Sequence, residues 1–129
     1  MNSRKFLLAG VLLMMAGCES SQPGPGFEQL IVPILNRHCV MCHMVDGAQG
    51  ELSLHPQPYA ALVGKASTQS DLLLVAPGDV EGSYLYHKLV GSHLRVGGEG
   101  DSMPYQRDLL QSNDIDVIEQ WIVQGARDN

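Results

Sequence analysis

Hydrophobic positions in this chain recur at helical spacing in four short segments, which polar and glycine-rich stretches separate. The first segment, residues 27–38, contains Pro33 in its middle. Proline is favoured in a first helical turn and costly in a helix interior. The segment therefore predicts either one kinked helix or an extended lead-in followed by a helix from Pro33. Both alternatives bring a helix directly into Cys39.

Two shorter apolar segments are each followed by a glycine, the residue that most often ends a helix. Residues 59–63 predict a short helix ended by Gly64, and residues 83–90 predict another ended by Gly91. Three positions of the second helix are expected to be buried: Tyr84, Leu85 and Leu89. A glycine-rich loop is predicted from there to Ser112.

The last apolar segment is the most regular of the four. Asn113 suits the N-cap of a helix, and Asp114 and Asp116 suit the positive end of the helix dipole. Gly125 follows the segment and is expected to end the helix. Its apolar residues recur at helical spacing: Ile115, Ile118, Trp121 and Ile122. Because no segment shows the sustained alternation of a strand, the pattern predicts an all-α fold with long loops.

The N-terminus has the features of a secretory signal peptide over residues 1–17. Arg4 and Lys5 precede an apolar run that is shorter than the roughly 20 residues a membrane span needs. The cleavage region Met15-Ala16-Gly17-Cys18 resembles a bacterial lipobox, in which Cys18 is acylated and becomes the first mature residue. The alternative is an ordinary signal peptide with a chance cysteine.

A polar stretch with two Pro-Gly pairs follows, so residues 18–26 are expected to form a lipidated flexible linker and residues 27–129 a single domain. Removing the signal peptide lowers the Lys and Arg count from 8 to 6 against 14 Asp and Glu, which moves the net charge from −6 to about −8. This charge argues against a nucleic-acid partner and against electrostatic attachment to anionic lipid.

Membrane attachment is therefore expected through the lipid on Cys18 alone. Glu19 stands where an aspartate often retains lipoproteins at the inner membrane. The expected location is the periplasmic side of a bacterial membrane, with the outer membrane favoured.

Cys39-Val40-Met41-Cys42-His43 has the spacing of a covalent attachment site for c-type haem. Residues three apart lie on the same face of a helical turn, so Cys39 and Cys42 can reach the two vinyl groups of one porphyrin. His43 follows directly and is the expected proximal ligand of the iron.

Three other uses of the cysteine pair are a disulfide, a thiol redox pair and part of a zinc site. A disulfide over so short a loop restrains little of the unfolded chain. Zinc needs about four ligands, and no second cysteine pair remains once Cys18 is assigned to lipid. A thioredoxin-like pair is expected near a βαβ pattern, which the sequence lacks. Haem attachment is accordingly the favoured interpretation.

The second axial ligand decides what a haem does, because an axial methionine raises the potential and fills the sixth position of the iron. The backbone confines Met41 and Met44 to the attachment side, whereas Met103 lies about 60 residues beyond His43. Pro104 follows Met103 and fixes the local backbone. Although a lone methionine is ordinarily a core residue, Met103 is the expected distal iron ligand.

Histidine also binds haem iron, and His93 is the best substitute ligand because it shares the Met103 loop. The other histidines are expected to be solvent-exposed or hydrogen-bonded: His38, His55 and His87. Three aromatic residues are expected to act as packing partners, with polar atoms able to reach a haem propionate: Tyr84, Tyr105 and Trp121.

From Phe27 to about Arg127 the chain resembles the small monohaem cytochrome c family, in the form found in planctomycetes and related environmental bacteria. Four pieces carry the resemblance: residues 33–39, Ala76-Pro77-Gly78-Asp79 with Ser83-Tyr84-Leu85, Met103-Pro104, and residues 118–126. The resemblance implies a cytochrome c-like fold, in which helices and long loops wrap around one covalent haem. It also implies that the first and last helices cross and that one porphyrin edge lies near solvent.

The expected function is electron transfer to and from redox partner proteins, with His43 and Met103 as axial ligands of one haem c. No pattern of nucleophile or paired carboxylates indicates an enzyme. The alternative is a peroxidase-like haem enzyme or gas sensor whose Met103 dissociates, since the glycine run at residues 97–100 would loosen the ligand loop. A third hypothesis is a lipoprotein module in which Cys39 and Cys42 form a disulfide.

Overall fold

The first helical segment of the domain is continuous across its proline. A computed structural model of the protein describes residues 26–44 and 49–129. A π-helical turn, Phe27–Ile31, leads into helix α1, Val32–His38. The Val32 N–H bonds to the Phe27 carbonyl, five residues back. This wide turn places Pro33 in the first turn of α1, where its missing N–H costs little, so the single-segment alternative is the observed one.

The three other predicted helices are confirmed, with shifts of one or two residues at their ends. They are α2 at Pro58–Leu62, α3 at Tyr84–Val90 and α4 at Ser112–Val123. Helix α3 ends at Gly91, whose φ of 72° is in the left-handed region that favours glycine. Two short 3₁₀ turns, Gln49–Glu51 and His93–Val96, lie in the loops.

The predicted N-cap of the last helix was wrong. Helix α4 begins at Ser112, and Gln111 is the extended residue before it. The Gln111 carbonyl accepts the first helical hydrogen bonds, from the N–H groups of Asp114 and Ile115. Asn113 therefore lies inside the first turn rather than at the cap, whereas Asp114 keeps its predicted place near the positive end of the helix.

Regular strands are absent from residues 26–44 and 49–129, which contain only four isolated β-bridges. All four bridges lie in the loop between α2 and α3: Val63 with Val75, Ala66 with Leu73, Leu73 with Ser83, and Ala76 with Asp79. The described part of the chain is thus helical with ordered loops, in agreement with the predicted all-α class.

The core brings the two ends of the domain together. The Phe27 ring lies 5.1 Å from Tyr59 and 5.3 Å from Trp121, measured between ring centroids. The Phe27 N–H also donates to the Asn129 side-chain oxygen at 3.3 Å. Thirteen buried apolar residues form one cluster: Phe27, Ile31, Ile34, Leu35, Leu54, Leu62, Val75, Leu89, Leu110, Ile118, Trp121, Ile122 and Ala126.

The predicted signal peptide, the lipidation at Cys18 and nearly all of the predicted linker lie outside the described residues. Within those residues, none of the helices has the length and apolar character that a membrane crossing requires.

Candidate functional site

The attachment motif forms a turn that continues from the end of α1. The Cys39 and Val40 N–H groups both bond to the Leu35 carbonyl, at 2.8 and 3.0 Å. The Cys42 and His43 N–H groups bond in turn to the Cys39 carbonyl, both at 3.1 Å. These bonds fix the motif to the helix before it. Both cysteines have free thiols, and Cys39 is half-buried whereas Cys42 is exposed.

The environment of Cys39 is unlike that of a redox-active cysteine. Burial raises the pKa of the Cys39 thiol to about 11, with a smaller contribution from neighbouring Cys42. Thiol-exchange catalysis requires a thiolate, and reactive cysteines have a lowered pKa for this reason. The thiol redox alternative is therefore disfavoured by the surroundings of Cys39.

His43 is held by one of its two ring nitrogens, Nδ1. Its Nδ1 lies 3.1 Å from the Leu52 carbonyl oxygen, an acceptor, so Nδ1 is the donor of this hydrogen bond. The Leu54 N–H also donates to the His43 carbonyl, at 2.6 Å. Histidines that bind metals are commonly oriented by such a bond from the second nitrogen to a backbone carbonyl. The residues present thus fit the donor set of a c-type haem.

The Leu52 carbonyl is a part of the site that sequence reasoning missed. Every residue has a backbone carbonyl, so no residue type identifies the one that will meet His43. No pattern in the sequence could have found it.

Met103 differs from the other two methionines of the described chain in its surroundings. Met41 and Met44 are 81 % and 48 % exposed, whereas Met103 is half-buried and packs against the core cluster. Cys39 packs against the same cluster. The Met103 N–H donates to the Lys88 carbonyl at 2.8 Å, which attaches the Met103 loop to α3.

An open surface depression of about 770 Å³ lies beside these residues. His38, the residue before Cys39, lines one side, and the chain after Met103 lines the rest: Pro104, Gln106, Arg107, Asp108, Leu109, Leu110 and Gln111. The depression is thus lined by immediate neighbours of the motif and of Met103. The four predicted site residues do not line it: Cys39, Cys42, His43 and Met103.

The structure distinguishes the remaining histidines by their hydrogen bonds. Both ring nitrogens of buried His87 are engaged, Nδ1 by the Ser92 hydroxyl at 2.7 Å and Nε2 by the Glu81 carbonyl at 2.8 Å. His93 is 4 % exposed, and its Nε2 lies 2.9 Å from the Gly100 carbonyl. His38 is half-buried rather than on the surface, with Nε2 3.4 Å from Asp114 Oδ2. His55 is exposed.

Two of the three aromatic residues are buried packing partners whose polar atoms form hydrogen bonds. The Trp121 indole N–H donates to the Arg127 carbonyl at 3.0 Å, and the Tyr84 hydroxyl bonds to Glu99. Tyr105, in contrast, is 52 % exposed.

No three His, Cys, Asp or Glu side chains in residues 26–44 and 49–129 are grouped so that they could hold a metal ion. A haem differs from a bare ion in this respect, because its porphyrin supplies four of the iron ligands and the protein supplies only the axial ones.

Comparison with known proteins gives no relative for this chain: no family model, curated protein or solved structure matches it.

Proposed function

We propose that this protein is a monohaem c-type cytochrome with a cytochrome c-like fold, and that it transfers electrons. The observation that carries the proposal is the motif itself, in which two free thiols and a histidine held at Nδ1 lie on one turn. A bound haem supplies an iron that alternates between the ferrous and ferric states. Cys39 and Cys42 would hold the haem through thioethers, and His43 would bind the iron through Nε2.

Met103 is the proposed second axial ligand. It is the half-buried methionine of the described chain, and it adjoins the same core as Cys39. With both axial positions filled by the protein, a haem favours electron transfer over ligand chemistry. The peroxidase-like or gas-sensing alternative requires Met103 to leave the iron, and the contacts that hold its loop weigh against this.

The proposed setting is the periplasmic side of a bacterial membrane, to which acylated Cys18 attaches the chain, with the outer membrane favoured. The proposed partners are redox proteins, which donate electrons to the haem and accept them from it. An acidic domain of this charge is not expected to bind nucleic acid.

Covalent haem is tested by expressing the full chain with haem-maturation machinery and staining a denaturing gel for haem. The wild-type band is expected to stain, and a Cys39→Ala/Cys42→Ala double variant is expected not to. Cys18→Ala is the matched control, because it removes the cysteine that is assigned to lipid rather than to haem. This variant should keep the haem stain and lose the lipid. A wild-type band without haem would refute the proposed function.

The distal ligand is tested by the spectrum of the oxidised protein. Wild type is expected to show the methionine-to-iron charge-transfer band and not to bind carbon monoxide promptly when reduced. Met103→Ala is expected to lose the band and to bind carbon monoxide at once. Met44→Ala, which changes an exposed methionine next to His43, should behave as wild type. If Met103→Ala keeps the band, another residue is the ligand.

A further inference from the structure

Lys88 of helix α3 contacts the Met103 loop at two places. Its side chain is almost fully buried, with 7 % of the residue exposed, and its Nζ donates to the Glu99 carbonyl at 2.9 Å. Its own carbonyl accepts the Met103 N–H at 2.8 Å. One residue therefore holds both the beginning and the end of the stretch 99–103.

Tyr84, one helical turn before Lys88, binds the backbone of the same residue, Glu99. Its hydroxyl accepts the Glu99 N–H at 3.2 Å and lies 3.4 Å from the Glu99 carbonyl. Gly98 makes this approach possible, because a Cβ at Gly98 would lie 2.5 Å from the Tyr84 hydroxyl. The glycine run is thus docked on α3, contrary to the expectation that it loosens the loop.

The charge on Lys88 makes its bond to Glu99 important for the loop. A buried ammonium group is costly unless it is hydrogen-bonded, and burial lowers the pKa of Lys88, with Asp101 partly offsetting the effect. The Tyr84 ring, 5.7 Å from Nζ, adds a favourable cation–π contact. Any movement of the loop away from α3 would leave the ammonium without the Glu99 carbonyl.

We infer that Lys88 is a positioning residue for Met103: together with Tyr84 it fixes the Glu99 peptide on α3 and so holds the methionine at a set place beside the core. The inference rests on the proposed function, because it assigns Met103 as the ligand that is being positioned. These contacts also keep the loop in place on α3, and an electron carrier needs such a loop so that its methionine ligand stays on the iron.

The test uses haem-loaded protein and the variant Lys88→Met, which keeps a long side chain and removes the ammonium. Loss of a hydrogen bond to a charged group is expected to speed amide hydrogen exchange at Glu99 and Met103 by about tenfold or more. The charge-transfer band of the oxidised protein is expected to weaken. Lys65→Met is the matched control, since Lys65 is exposed, and it should match wild type in both measurements.

Two further variants separate positioning from general stability. Leu62→Ala removes a fully buried side chain on α2 and should lower stability while leaving the band intact. Tyr84→Phe removes the hydroxyl that binds Glu99, and it should also speed exchange at Glu99 and weaken the band. Tyr86→Phe, on the same helix, controls for the loss of a hydroxyl and should leave both unchanged.

The inference is overturned if Lys88→Met leaves both the band and Met103 exchange as in wild type. If Lys88→Met does not fold, Tyr84→Phe decides, and wild-type behaviour of that variant overturns the inference. It is also overturned if Leu62→Ala weakens the band as much as the α3 variants do. Wild-type protein without haem or without the band would instead count against the proposed function.

Discussion

Ala126 has a backbone conformation that alanine rarely adopts. Its φ is 47°, in the left-handed region, which costs about 1–2 kcal/mol for a residue with a Cβ. Two hydrogen bonds hold it there: its N–H donates to the Trp121 carbonyl at 2.8 Å, and its carbonyl accepts the Tyr59 hydroxyl at 2.9 Å. Tyr59 thus ties α2 to the chain that follows α4.

Tyr59→Phe is predicted to lower the free energy of unfolding by about 1 kcal/mol, since it removes this hydrogen bond and keeps the ring against Phe27. Urea denaturation of the haem-loaded protein, followed by circular dichroism, measures the change. Tyr105→Phe is the control, because Tyr105 is exposed and should change stability by less than about 0.5 kcal/mol. Equal effects of the two variants would contradict the assigned role of Tyr59.

The first and last helices are joined at Asp114. Its Oδ2 lies 3.5 Å from Arg37 Nη1 and 3.4 Å from His38 Nε2, at the end of α1 that leads into the motif. His38 Nε2 makes no hydrogen bond there. Since Arg37 is 60 % exposed, its pairing with Asp114 is screened by solvent. Asp114 is therefore expected to stabilise the domain mainly through its position in the first turn of α4, near the positive end of the helix dipole.

Asp114→Asn is therefore predicted to destabilise the domain by only about 1 kcal/mol at low salt. The difference from wild type should shrink in 1 M salt, where charges are screened over about 3 Å. Thermal unfolding at both salt concentrations gives the comparison. Asp116→Asn, an exposed acid two residues further along the same helix, should have a smaller effect, and a salt-independent loss at Asp114 would show that packing rather than charge is involved.

Local sequence patterns predicted the elements of this domain well and their long-range contacts poorly. Helical periodicity and glycine stops identified all four helices, because both are properties of neighbouring residues. The cap at Asn113 was wrong: α4 begins at Ser112, two residues after Leu110, which packs in the core with residues distant in sequence. The docking of the glycine run was missed for a similar reason: its partners, Tyr84 and Lys88, come from a different element.

The residues of the candidate site also fall into two groups: those that local sequence predicts and those that depend on long-range contacts. The spacing of the motif predicted Cys39, Cys42 and His43, which the structure places on one turn. The Met103 prediction used the distance of this methionine from His43, the proline that follows it and the family resemblance, and the structure adds its half-buried position. The Leu52 carbonyl, which orients His43, depends on residues 52–54 lying against the motif, and residue types do not indicate this contact.

At the scale of the whole molecule, the fluorescence of one tryptophan can report whether the domain is folded. Trp121 is the single tryptophan of the chain, and it is buried in the core on α4. A folded domain of 100 residues has a radius of gyration of about 13 Å, against about 30 Å when unfolded. A haem attached at Cys39 and Cys42 would therefore lie within energy-transfer range of Trp121 in the native state and much further away after unfolding.

Native haem-loaded protein is predicted to show strongly quenched tryptophan emission, which should rise several-fold when guanidinium unfolds the chain. The proposed thioethers would keep the haem on the chain, so the rise would measure separation of Cys39 from Trp121 rather than loss of haem. Free tryptophan amide mixed with the same protein controls for light absorbed by the haem, and its emission should not follow the unfolding curve. If the emission is as strong in the native as in the unfolded protein, the native fold does not hold the haem close to Trp121 on α4. Since Lys88→Met is expected to free only the Met103 loop, that variant should show a weakened charge-transfer band while its tryptophan emission stays quenched.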